Sequence, residues 1–189
     1  MSATTTTEIL GYLAGTWVID PAHSDVSFTV RHMMVSKVRG RFRTFEGQVV
    51  TGENPLDSTV TAGIDLASVD TNNEQRDAHI RSADFFDVET YPTMTYRSTG
   101  VRAVDHGFVI DGELSLHGVT RPVALSLELN GFGPDPWGGT RAGFSATAQI
   151  SRRDFGIDIA MPMDGGGVVV GDQVRVFLEL EAVLQRPDA

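Results

Sequence analysis

Three consecutive residues, His23-Ser24-Asp25, carry the side-chain types of a hydrolytic triad. A triad is assembled in space, and neighbouring side chains of an extended segment face opposite ways. No Gly-x-Ser-x-Gly elbow presents the serine. The three read as a turn or strand start whose hydroxyl and imidazole make local hydrogen bonds. Asp154-Phe155-Gly156 matches the magnesium-binding triplet of protein kinases, but no glycine-rich nucleotide loop, VAIK-type lysine or HRD loop precedes it. It reads as a turn in which glycine supplies backbone freedom. Histidines fall at 23, 32, 79, 106 and 117, none paired at i,i+2 or i,i+4. A metal site needs three or four converging ligands, so neither a metal nor a cofactor is expected. His32 and His117 are read as hydrogen-bonded structural residues. Arg76-Asp77 reads as helix-surface electrostatics, worth well under ~1 kcal/mol.

Arg31, Lys37, Arg39, Arg41 and Arg43 gather much of the positive charge of the chain into one hairpin. Arg39, Arg41 and Arg43 share a face opposite Gly40 and Phe42. Two readings stand: a solvated outer strand face, or an electropositive rim for a phosphate or membrane head group. The formal net charge of −10 argues against general affinity for nucleic acid. The chain has no cysteine, which removes disulfides, thiolate metal sites and a cysteine nucleophile. No apolar run approaches the roughly 18 residues of a membrane span. The start, MSATTTTEILGYLAGTW, lacks a basic n-region and a long apolar stretch, so a cytoplasmic location is expected.

The elements that must position any site are strands. From Thr93 onward apolar residues recur with period two: Met94 and Tyr96; Phe108, Ile110, Gly112 and Leu114; Val123, Leu125, Leu127 and Leu129; Ala142 to Ile150; Val174 to Leu180. Each segment has one wet and one dry face. Earlier strands are read at Trp17 to Val30, broken at Pro21, in a long hairpin strand from Val38 to Val50, and from Val60 to Leu66. Gly40 and Gly47 are read as bulges or tight bends. One helical segment is expected over about 73–87, capped by Asn72 or Asn73, with Ala78, Ile80, Phe85 and Phe86 on its buried side. Gly165 to Gly167 are read as a loop at the rim. Residues 1–15 form a polar tail and 16–189 a single domain. A sheet closed on itself buries all the dry faces and leaves no edge. Alanine at three of five inward positions in 142–150, with Ala62 and Gly112, leaves room inside. The same residues opposite large partners would pack solid, so a hollow and a filled barrel both stand at this level.

The ordered segments TWVIDPAHSDVSFTVRH, VRGRFRTFEGQV, RDAHIRSADFFDVETYPTMTYRS, GELSLHGVTRPVALSLEL, RRDFGI and GDQVRVFLELEA resemble the YceI family of polyisoprenoid-binding proteins, in order, over nearly the whole chain from Trp17. The resemblance implies an all-β, lipocalin-like antiparallel β-barrel of about eight strands with a short helical segment. It also implies an apolar tunnel for an isoprenoid chain, with polyprenyl phosphates and quinone-type polyprenyl lipids as ligands. Many relatives carry a periplasmic signal, and this sequence departs from them there.

Strand parity, not the family motifs, nominates the lining residues. They are Phe28 and Phe42; Ile64, Met94 and Tyr96; Phe108 and Leu114; Leu125 and Leu127; Phe144, Ala146 and Ala148; and Val176 and Leu178. Arg41 and Tyr96 are nominated for the head group. The inward rows of the later strands carry no converging titratable pair, so the expected function is non-enzymatic binding, storage or transport of a long-chain isoprenoid lipid. A carrier of another hydrophobe such as a fatty acid, or a lipid-sensing regulatory module, would share the fold. The sequence also leaves a homodimer open.

Overall fold

Period-two alternation becomes twelve strands in a computed structural model that describes residues 8–161 and 169–187. They are β1 Gly15–Ile19, β2 Asp25–His32, β3 Ser36–Phe42, β4 Phe45–Thr51, β5 Thr59–Asp65, β6 Val69–Asp70, β7 Thr93–Val104, β8 Gly107–Leu116, β9 Val119–Pro122, β10 Leu125–Pro134, β11 Thr140–Ser151 and β12 Val170–Leu184. Strand β1 pairs with both β4 and β12, which closes the ring β1-β4-β5-β7-β8-β10-β11-β12 into an eight-stranded antiparallel barrel. Strand β2 continues β1 along β12, β3 continues β4, and β6 continues β5, so three walls of the barrel are bent strands. A 3-10 turn at Pro21–His23 makes the first bend and another at Leu66–Ser68 the third. The long strand read over Val38 to Val50 is therefore two strands, β3 and β4, which do not pair with each other. Strand β11 has 12 residues. At ~3.3 Å per residue and a tilt of about 35–45°, the wall is on the order of 30 Å tall.

Beyond the bends, β6 pairs with β3 but not with β7. The chain between them carries the helix α1, Glu74–Arg81. Asn73 caps it by accepting from the Arg76 amide, while Asn72 takes a left-handed φ of 61°. The helix ends at Arg81, and Ser82 to Asp87 form turns rather than its last turns. Ile80, Phe85 and Phe86 pack against the core, but Ala78 is exposed. Asp77 is the buried residue of the helix: it accepts from the Thr71 amide at 2.9 Å and from the Thr71 hydroxyl. Arg76 donates to the Thr71 hydroxyl and carbonyl. With Asp77 buried and Arg76 half-buried, the pair clamps Thr71 at the helix entry rather than acting as surface electrostatics.

Gly40 and Gly47 are not bulges. The β2–β3 ladder runs without a shift from Val26 opposite Phe42 to His32 opposite Ser36, and β4–β5 is equally regular around Gly47. A Cβ at Gly40 would come within 2.4 Å of the Phe28 ring, and one at Gly112 within 2.4 Å of the Tyr96 ring and hydroxyl. These glycines are seats for aromatic rings, not sources of free volume. The irregularities lie at Ser98/Gly100, Leu129/Gly131 and Val170/Val174.

The interior is layered. At one end Trp17, fully buried, packs with Ile19, Ala142, Phe144 and Ala182, and its indole donates to the Thr51 hydroxyl at 2.9 Å. That end is filled. The described part of the N-terminal tail is docked there: the Tyr12 hydroxyl donates to the Gly52 carbonyl, and its ring meets Phe132 edge-on at 5.6 Å. Leu66, Val69, Phe155 and Ile157 belong to the larger buried core, together with Val26, Phe42, Ile64, Leu114 and Ala146. Gly165 to Gly167 lie outside the described residues.

Candidate functional site

Inside the barrel lies a cavity of about 710 Å³. That is within the roughly 300–1,000 Å³ of typical ligand sites. It runs from Tyr12, Thr51 and Ser58 at the Trp17 end to Arg31, His32, Arg76 and Arg152 at the end roofed by α1. All fourteen side chains nominated from strand parity are on its wall. The hollow and filled readings each hold in a different layer. Ala146 and Ala148 border the cavity, whereas Ala142 lies in the layer packed around Trp17.

Parity read from single strands missed Val101 and Phe132, which also line the cavity. Each follows a bulge that swaps the inward set, at Ser98/Gly100 and Leu129/Gly131. Gly131, at φ 143°, was the available signal for the second. Ile80, Phe85 and Phe86, the buried side expected of the helical segment, complete the wall from the α1 segment.

The head-group nominations do not hold. Arg41 is not on the wall. It lies on the outer face, 3.6 Å from Asp70, which also holds Arg43. It alternates with the inward Gly40 and Phe42, so the same parity that puts Phe42 inside puts Arg41 outside. Tyr96 is on the wall, but its hydroxyl donates to the Ile110 carbonyl at 3.2 Å and the Val123 carbonyl at 3.0 Å. Burial, with a smaller push from Asp111, raises its pKa to about 12. Its proton is committed to the backbone.

Arg152 is the buried cation that the sequence did not single out. It is 5% exposed and donates to the carbonyls of Ile157 at 2.7 Å, Gly171 at 3.0 Å and Val170 at 3.2 Å. Among the described residues no carboxylate lies within 4 Å of it. Burial, then repulsion from Arg153, lowers its pKa. His117, in a left-handed conformation, bonds through Nδ1 to the Phe155 carbonyl at 3.0 Å, and Gly156 closes the turn at φ 70°.

One cluster outside the cavity joins residues far apart in sequence. Ligand atoms of Asp20, His23 and Glu181 lie within 4.8 Å of one another. Arg141 is placed between them: Nη1 donates to Asp20 at 2.8 Å and to Glu181, and Nε donates to Asp135 at 3.2 Å. The guanidinium already supplies the cation. Arg141 first, then His23, hold the Asp20 carboxyl at a pKa of about 2, below the ordinary 3.8. A carboxylate with a depressed folded pKa contributes stability that is complete above the unfolded value and lost as pH falls through the folded one. The expected result is that Asp20→Asn is less stable than wild type above about pH 4, and that the gap closes as pH falls toward 2. Urea unfolding across that range measures it. A gap that does not change with pH would assign the loss to packing instead.

Comparison with known proteins places this geometry. The YceI-like domain model matches residues 17–182. A UPF0312 protein of Vibrio cholerae is 43% identical over 152 residues, covering 77% of this chain and 79% of that protein. One of Pseudomonas aeruginosa is 41% identical over 164 residues, covering 86% and 83%. Burkholderia cenocepacia BcnA has the same fold, with TM-score 0.75 and 22% identity over 86% of this chain and 98% of that one. So does a polyisoprenoid-binding domain from Saccharophagus degradans, with TM-score 0.61 and 17% identity over 92% of this chain and all of that one. No helix among the described residues is long and apolar enough to cross a membrane. A closed eight-stranded barrel, a short helix and a family match from Trp17 to Ala182 converge on one assignment: the chain belongs to the YceI-like family.

Proposed function

We propose that the protein is a non-enzymatic carrier or store of a long-chain isoprenoid lipid, of the polyprenyl phosphate or isoprenoid quinone type. The elongated apolar cavity is the observation that carries this reading. At interior packing density one isoprene unit occupies on the order of 130 Å³, so the cavity has room for about five. Each buried methylene equivalent contributes up to ~0.8 kcal/mol, less the cost of immobilising the chain. Apolar walls therefore supply affinity without chemistry. The fourteen parity-nominated side chains are the proposed contacts. A second support is the binding function stated for the Saccharophagus degradans domain. Support for the absence of catalysis is that, among the described residues, none of the titratable side chains on the wall hydrogen-bonds another on the wall.

Extraction of the protein from its native host, followed by mass spectrometry, tests the proposal. The expected result is a stoichiometric hydrophobic ligand, with species spaced by one isoprene unit. Recovery of fatty acids alone would transfer the carrier reading to that class, and an empty, stable protein would end it.

A further inference from the structure

The β2–β3 hairpin turns through Met33, Met34 and Val35, which are 41, 52 and 84% exposed. Met33 and Met34 have φ of 51° and 60°. Tight hairpins ordinarily give such positions to Asn, Asp or Gly. Here the left-handed positions hold two long apolar side chains, each about half exposed.

The cations around this tip sort in the structure as the sequence could not show. Arg41 and Arg43 are held by Asp70. Arg31 and Lys37 stand directly opposite each other on β2 and β3, and Arg39 and Arg175 flank Thr29 on the same outer face. Like charges directly opposed across a ladder are unfavourable. None of these four has a carboxylate of a described residue within 4 Å. Arg31, Lys37, Arg175 and Met34 border one depression of about 360 Å³. Asp172 borders it too, but its oxygens accept from Ser151 at 2.7 and 2.8 Å. On a chain of net charge −10, this is a positive patch beneath an apolar tip, without a carboxylate partner among the described residues. The tip is also continuous with the cavity. The Met33 amide donates to the Val169 carbonyl at 2.8 Å, and Arg31, His32 and Val169 line the lipid cavity.

We propose that this hairpin docks the barrel onto an anionic lipid bilayer. Met33, Met34 and Val35 enter the acyl boundary, and Arg31, Lys37, Arg39 and Arg175 take the lipid phosphates. Apolar insertion beneath a basic collar is the chemistry of interfacial anchoring. The negative charge elsewhere on the chain turns the other faces away from the surface. Docking would bring the α1 end of the cavity to the membrane, where a lipid can pass. Its purpose rests on the carrier reading, but its test needs no cargo.

Flotation of the full chain with vesicles of phosphatidylcholine, with and without phosphatidylglycerol, reads the docking directly. The wild type should float with the anionic vesicles and not with the neutral ones, and high salt should release it. Met34→Asp with Val35→Asp should lower partitioning at least about tenfold, and so should Arg31→Glu with Lys37→Glu. Both pairs alter exposed residues, and unchanged thermal melts establish that the variants are folded. No flotation of the wild type overturns the proposal, as does flotation indifferent to both variants. Self-association lost in the Asp variant, without vesicle binding, would assign the tip to a contact between two copies and overturn it equally. A protein that carries isoprenoid yet fails to float would sink the dock and leave the carrier intact.

Discussion

Ala146→Trp is expected to fold, to melt near or above ligand-free wild type, and to lose most of its co-purified lipid. Ala146 is 4% exposed and sits in mid-wall, between Leu127 on β10 and Leu178 on β12. All three line the cavity. In a close-packed core an indole at this position would drive neighbours off their rotamers at a cost of ~1–3 kcal/mol or more. Here the ring has open space ahead of it and gains contacts that the empty barrel lacks. It also stands in the path of a chain threading the barrel. Thermal melts of delipidated protein, together with lipid extraction, separate the two effects. A variant destabilised by several kcal/mol would mean that this layer is packed in solution. A stable variant with full lipid content would move the ligand elsewhere.

The contrast with Ala142 explains what the sequence could reveal. Both alanines lie on the same dry face of β11, with the same parity. One packs with Trp17 and the other borders the cavity. Period two fixes the face that a residue takes, because it is a property of the strand itself. It cannot fix what stands across the barrel, because that depends on partners over a hundred residues away. The all-β ring and all fourteen wall positions were legible for the first reason, and the helix start, at Asn72 or Asn73, from its capping chemistry. The split between packed and hollow layers was not, for the second. Arg152 illustrates the same limit. The sequence shows an arginine beside a turn, while its burial follows from three carbonyls, one at Ile157 and two on β12. Parity also fails after a bulge, which is why Phe132 was overlooked while Leu127 was found.

Gly40 gives the sharpest test of which contacts shape the cavity. Gly40→Ala is expected to destabilise the protein by about 2 kcal/mol and to change sign in a Phe28→Val background. The three atoms nearest a Cβ at Gly40 all belong to the Phe28 ring. That ring also meets Phe42 at 5.6 Å between centroids, and Phe42 meets Phe86 at 6.0 Å. An added methyl must push the Phe28 ring off its seat, toward the cavity that both phenylalanines line. Remove the ring and the conflict disappears. What is left is the ordinary gain of alanine over glycine in an ordered backbone, roughly 0.5–1 kcal/mol. Urea unfolding of the four proteins measures the coupling, expected at about 2–3 kcal/mol for residues in direct contact. Additive losses would show that the ring does not rest on Gly40. Lipid content supplies a second readout. A displaced ring should narrow the cavity and lower retention in Gly40→Ala, whereas the double variant, with a smaller wall residue at 28 and no displaced ring, should recover it.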